Sequence, residues 1–236
     1  MEVNYSFEEL KEFIKNGKNI CYGDTNSVIY YNNLLVKFNA EMYSMFKKRK
    51  DVDEEQVMRL FCDKNGEIIN SFIDFRQLEY FREKASNIKL STLPQEVFYL
   101  NNVPVGIIEP YFPKHNWLHF MEDLSHKEMY YLVRNILLSL RELEENGIYR
   151  LGINRNNVFY NGVKPELIDL CSSTSYGDKE GLEQSVYSAY LDLMYSLLYR
   201  QSIDARLHRE FTDILTIDDC NFEVCSDVVK RLEKKI

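Results

Sequence analysis

Gly147-Ile148-Tyr149-Arg150-Leu151-Gly152-Ile153-Asn154-Arg155-Asn156-Asn157-Val158 is the stretch on which the fold of this chain turns. Gly147 is a helix stop, because glycine takes the left-handed conformation that ends a helix at little cost. Downstream, Asn157-Val158-Phe159-Tyr160 and Glu166-Leu167-Ile168-Asp169-Leu170 are two short apolar pieces around Asn161-Gly162, a strong hairpin signal. A polar loop therefore hangs between a helix end and a hairpin.

Working outward, Ser125-His126-Lys127-Glu128 is a capping box, and Met129, Leu132, Val133, Ile136, Leu137, Leu140 and Leu143 follow at helical spacing. Beyond the hairpin, Leu182–Arg200 is apolar on most sides and reads as a buried central helix, and residues 203–236 read as two or three short helices. The first half opens on a second capping box, Ser6-Phe7-Glu8-Glu9, with Phe7, Leu10, Phe13 and Ile14 spaced for a short helix ending at Gly17. Residues 19–23, 27–32 and 34–39 read as three antiparallel strands, the last two joined by Asn32-Asn33. Residues 40–70 read as an insertion, in which Lys47-Lys48-Arg49-Lys50 faces solvent. A helix over about 71–85 and two strands over 95–100 and 103–109, joined by Asn101-Asn102, complete this half. Pro110 and Pro113 mark the boundary between a first lobe, 1–110, and a helical second lobe, 111–236.

Composition narrows the function classes. The chain has 236 residues, one domain or one two-lobed unit by length, and its 45% hydrophobic content excludes disorder as the main state. A net charge of −8 does not suit a protein that coats nucleic acid, and it repels anionic membranes. Five cysteines without a CxxC pair argue against a disulfide framework or a structural zinc site, and the four histidines form no metal spacing. No haem is expected. No apolar run is long enough to span a bilayer and no signal peptide opens the chain, so a cytoplasmic protein is expected.

The order of elements, an α+β plan with a strand-rich first half and a mainly helical second half, resembles the bilobal protein-kinase-like fold. Four residue matches support this. Leu35-Val36-Lys37-Phe38 is similar to the third-strand lysine motif, whose amine meets nucleotide phosphates. Residues 147–158 resemble the catalytic loop, and Leu167-Ile168-Asp169-Leu170-Cys171 resembles the segment around the metal-binding aspartate. Asp192 in the second long helix is similar to the family's buried structural aspartate, which accepts backbone hydrogen bonds from the catalytic loop. The resemblance implies an antiparallel five-stranded sheet with a C-helix in the first lobe. It implies ATP and Mg2+ as cofactors. It places Lys37, Glu79, Gly23 and Glu109 around the nucleotide and Asn157 and Asp169 on the metal. Glu79 is the chosen partner of Lys37, with Glu83, Glu54 and Glu55 as alternatives.

The departures bear on function. With Asn157 as the loop asparagine, Arg150, Leu151 and Gly152 fall where the family has His, Arg and Asp. The proton acceptor is thereby Gly152, and no carboxylate lies anywhere between Gly147 and Val163. The phosphate loop, Gly23-Asp24-Thr25-Asn26-Ser27, has one glycine, and Asp169-Leu170-Cys171 lacks the glycine of the family motif. The segment from Asp169 to Asp192 is short for an activation segment, as in atypical members. The reading is a pseudokinase-like binding or regulatory module with a protein partner, with nucleotide binding surviving through Lys37, Asn157 and Asp169. One alternative is an atypical transferase moving phosphoryl or AMP groups with Asp178 or Glu180 as base. Another is a ligand-free interaction scaffold presenting its tyrosines.

Overall fold

A computed structural model describes residues 3–22, 26–69, 74–94, 96–112, 116–117, 124–168, 170, 174–177, 181–200 and 220–234. The architecture is mixed α+β, and the chain divides into two compact units, Met1–Glu83 with Leu93–Tyr111 and Lys84–Thr92 with Phe112–Ile236. Among the described residues no helix is long and apolar enough to cross a membrane.

The first unit is built on a six-stranded sheet. Its elements are β1 (Val3–Tyr5), α1 (Phe7–Asn16), β2 (Lys18–Tyr22), β3 (Asn26–Tyr31), β4 (Leu34–Asn39), α2 (Ala40–Lys48), α3 (Glu54–Met58), α4 (Phe75–Lys84), β5 (Glu96–Leu100) and β6 (Val103–Glu109). The strand order is β1-β5-β6-β4-β3-β2, antiparallel except that β1 runs parallel to β5. Two hairpins close on Asn pairs with positive φ, 49° and 63° at Asn32 and Asn33 and 50° and 64° at Asn101 and Asn102. Positive φ at both central residues matches the right-handed twist of the flanking strands, and asparagine tolerates it better than any other side-chain-bearing residue.

The sixth strand, β1, is an addition to the five expected. Three residues are too few to show a period. It is held instead by reciprocal side-chain and backbone hydrogen bonds between Asn4 and Asn102 and by the Tyr5 ring stacked on Phe98 at 3.8 Å. Residues 40–69 fold onto the same body. Asn39 caps α2 through the amides of Glu41 and Met42, and Asp53 caps α3. Both helices bury apolar residues in the main core, including Met42, Tyr43 and Val57.

That core occupies one face of the sheet. Alternation along β4 sends Val36 and Phe38 to it, where they meet Leu10, Phe13 and Ile14 of α1. Phe13 stands edge-on to Tyr31, Phe38 and Phe98, at 5.5, 5.7 and 5.6 Å. The Ser6–Glu9 capping box expected at the start of α1 is present with both of its hydrogen bonds.

The second unit is mainly helical. It contains a 3-10 turn (Ala85–Asn87), β7 (Asn116–Trp117), α5 (His126–Glu145), β8 (Ile148–Arg150), a second 3-10 turn (Arg155–Asn157), β9 (Val158–Tyr160), β10 (Pro165–Leu167), β11 (Thr174–Tyr176), α6 (Leu182–Arg200) and α7 (Phe222–Glu233). Helix α5 carries the second capping box, Ser125 with Glu128, and ends at Gly147, whose φ of 70° only glycine adopts freely. Its buried stripe is the one the sequence shows: Met129, Leu132, Val133, Ile136, Leu137, Leu140 and Leu143. Of the tail, α7 is observed, and residues 201–219 lie outside the described residues.

The segment Lys84–Thr92 belongs with this second unit, although the sequence reading placed it in the first lobe. Polar ties explain the assignment. Glu142 of α5 accepts hydrogen bonds from the amides of Lys89 and Leu90 at 2.9 and 2.7 Å, and Ser139 donates to the Leu90 carbonyl at 3.5 Å. Buried Glu166 accepts from the Thr92 hydroxyl at 3.4 Å and pairs with Lys164.

Helix α6 is anchored to α5 by Tyr190, which donates to the Val133 carbonyl at 2.9 Å, and by Tyr187, which donates to Glu144 at 2.5 Å. Arg141 also donates to Glu144, at 3.0 Å. Burial, then the charge of Glu144, hold the Glu183 carboxyl above its usual range, against the opposing pull of Arg141 and with a smaller push from Glu223. A raised carboxyl pKa means that the folded state holds the proton more tightly than the unfolded one. The stability this supplies is complete below the ordinary carboxylate pKa and is lost as pH rises through the raised value. Glu183→Gln, neutral at every pH, is therefore expected to raise the Tm by about 1 °C at pH 7 and by nothing near pH 4. Paired thermal melts at the two pH values check this.

Candidate functional site

In the first unit the residue of interest is Lys37. Register fixes its surroundings: its Cα pairs with Val28 on β3 and Ile107 on β6. Because Val36 and Phe38 point into the helix-packed core, Lys37 lies on the opposite face, in a row with Val28 and Ile107 and beside Leu35. The next row reads Tyr30, Leu35, Glu109 across β3, β4 and β6. Lys37 is only 7% exposed, and its neighbours Val97 and Ile107 are buried. A buried lysine is rare unless its charge is matched, so this amine is set into the sheet face rather than projecting from a solvated edge.

Glu79 does not serve it. On α4 the buried side is Gln77, Leu78 and Phe81, and Glu79 stands on the exposed side without a hydrogen bond or ion pair among the described residues. This corrects the assignment of Glu79 as the partner of Lys37. The sequence places Glu79 on a helix but does not fix the rotation of that helix. Of the alternatives, Glu54 is engaged by Asn101 and Glu55 by Arg59 at 2.5 Å. Gly23 lies outside the described residues. Glu109, half-buried at the end of β6, sits in the Leu35 row.

In the second unit the loop of residues 151–154 runs between β8 and the second 3-10 turn. Strand β8 pairs with β11, placing Arg150 opposite Thr174, and β9 pairs with β10. The amide of Ile168 donates to the Asn157 carbonyl at 3.0 Å, so the two ends of the hairpin are fastened together. Asp169, the next residue, lies outside the described residues, as do Cys171, Asp178 and Glu180. Asn154 caps the 3-10 turn by accepting from the Asn156 amide at 2.8 Å. Two of the three asparagines here are thus committed, one by its side chain and one by its backbone, to shaping the loop.

Two features of this loop escape a sequence reading. Arg150 is 1% exposed and donates from Nη2 to the Ile168 carbonyl at 3.2 Å, tying the start of the loop to the end of the hairpin. Arg155 is also buried, at 8%. Arginine in a polar loop gives no signal of burial; only the position of Arg150 inside a short strand hints at it. Gly152 is half-buried, and no acid stands on the loop.

Asp192 is exposed. It shares a solvent-facing stripe of α6 with Gln184, Ser185 and Ser188, while Val186, Tyr187, Tyr190, Leu191, Leu193, Met194 and Leu197 form the buried side. The buried structural role expected for Asp192 is corrected accordingly: water solvates the carboxylate, and it needs no backbone donors.

Among the described residues Cys62, Cys220 and Cys225 are free thiols, and no group of three or more His, Cys, Asp or Glu side chains is placed to hold a metal ion. No protein-family model matches the chain, and no curated protein matches it.

Proposed function

We propose that this chain is a kinase-like binding module that has lost phosphoryl transfer and works through contacts with a protein partner. The observation that carries the reading is the loop after β8. It starts from buried Arg150 and ends at an Asn157 fastened to Ile168, yet the position that the family resemblance gives to the proton acceptor is Gly152. Removing a positioned base lowers phosphoryl transfer by about 10²–10⁴-fold. The buried Lys37 on β4, in the sequence Leu35-Val36-Lys37-Phe38, supports the same relationship.

The family resemblance would have Lys37, in the first unit, hold phosphate oxygens of ATP, and would have Asn157 and Asp169, in the second, hold Mg2+. When bound, the nucleotide would supply an activated phosphoryl group; the loop between Gly147 and Val163 carries no carboxylate to take the proton of an attacking hydroxyl.

The test is a transfer assay with the full chain, Mg2+ and ATP labelled at either the α or the γ phosphate, with self-modification and generic protein substrates as acceptors. No incorporation above a heat-inactivated control is expected. Incorporation that Asp169→Ala abolishes would overturn the proposal, and the position of the label would separate a phosphoryl transferase from an AMP transferase.

A further inference from the structure

The Lys37 face of the first-unit sheet carries an aromatic pair that the kinase-like reading does not use. The rings of Tyr30 and Tyr111 stack with centroids 4.4 Å apart and planes 27° apart. Tyr30 is on β3, and its register partner is Leu35. Tyr111 follows Glu109 and Pro110 off the end of β6. Strands β3 and β6 are separated by β4, so they lie two strand spacings, roughly 9.5 Å, apart. Glu109 pairs with Leu35, so Tyr111, two residues further on, meets the Tyr30 ring at the Leu35 end of β4. The pair is also held in place: the Tyr30 hydroxyl donates to Asn33 Oδ1 at 3.1 Å, and Asn33 is fixed by its hairpin turn. Leu35, the register partner of Tyr30, is 8% exposed, while Tyr111 is 43% exposed.

From this we infer that the Tyr30–Tyr111 pair is a built-in aromatic cover that excludes the fused rings of a purine nucleotide from the Lys37 face. The inference rests on the proposal that this face is of the nucleotide-binding kind. A planar base could reach the Leu35 row only after the stack opens, and the open state must first be populated. Apparent affinity falls by the fraction of molecules that are open. The cover is removable from the outer side, because Tyr111 leaves the sheet on a short post-proline arm and is the more exposed ring.

The experiment is titration of ATP, with and without Mg2+, into the full chain, followed by calorimetry. Wild type, Tyr111→Ala, Tyr30→Ala, Tyr111→Phe and the double variant Tyr111→Ala/Lys37→Met are compared. The thermal melt of each unliganded variant confirms folding. Expected are binding about tenfold or more tighter in Tyr111→Ala and Tyr30→Ala than in wild type, wild-type behaviour in Tyr111→Phe, which keeps the ring, and loss of the gain in the double variant. Wild type binding ATP as tightly as Tyr111→Ala would overturn the cover while leaving the Lys37 face as a nucleotide site. Absence of ATP binding in every folded variant would overturn the cover together with the nucleotide-type reading of the face.

Discussion

Gly106→Val is expected to lower the Tm by about 6–12 °C, equivalent to roughly 3 kcal/mol of stability. Gly106 lies on β6 opposite Phe38 of β4 and Phe98 of β5. A Cβ at this position would lie 2.8 Å from Phe38 Cδ1 and 2.9 Å from the Lys37 carbonyl oxygen. The first contact is with a ring fixed by Phe13 and Phe98, at 5.7 and 5.1 Å, and the second is with backbone in the middle of the sheet. Neither can retreat without opening the β4–β6 ladder. Even alanine meets the clash, and valine adds two methyl groups to it. Thermal and urea melts report the loss of stability. Amide exchange should locate it in β4 and β6; a Tm within 2 °C of wild type would contradict the packing described here.

Arg150→Ala is expected to remove a similar amount of stability, roughly 2–4 kcal/mol, and to loosen the hairpin of the second unit. The side chain is 1% exposed, and its Nη2 donor satisfies the Ile168 carbonyl. Truncation leaves both a void and a carbonyl without that donor. The effect should be local as well as global, because Ile168 is also the residue whose amide reaches back to Asn157. Faster exchange of the Ile168 amide is the specific readout. A variant in which that amide stays as protected as in wild type would show that Arg150 merely fills space.

Most of the secondary structure was legible because it is written in local signals. Two Ser-x-x-Glu boxes mark two helix starts, Asn-Asn marks two hairpins, and a seven-residue apolar stripe marks α5. Strand β1 was not legible. Three residues show no period, and the strand exists through Asn102 and Phe98, almost a hundred positions away. The site was legible only in part. Lys37 could be placed on a strand with apolar neighbours, and burial follows from that position. Glu79 and Asp192 could be placed on helices, but which side of a helix faces inward depends on what packs against it. In α6 the polar stripe of Gln184, Ser185, Ser188 and Asp192, at its own 3–4 spacing, marks the solvent side within an apolar majority. The Tyr30–Tyr111 stack joins a residue of β3 to one just beyond β6, and no local pattern encodes it.

The allegiance of Lys84–Thr92 has a consequence for dissecting the molecule. The polypeptide passes from one unit to the other three times, after Glu83, after Thr92 and after Tyr111. A gene fragment beginning at Phe112 would yield α5 with the two carboxylate oxygens of Glu142 deprived of the Lys89 and Leu90 amides and with the buried Ile88 missing. A fragment ending at Tyr111 would carry that strap with nothing to fasten to. Each unit would therefore have to be expressed with the nine-residue strap reassigned, for instance by fusing Lys84–Thr92 ahead of Phe112 through a flexible spacer.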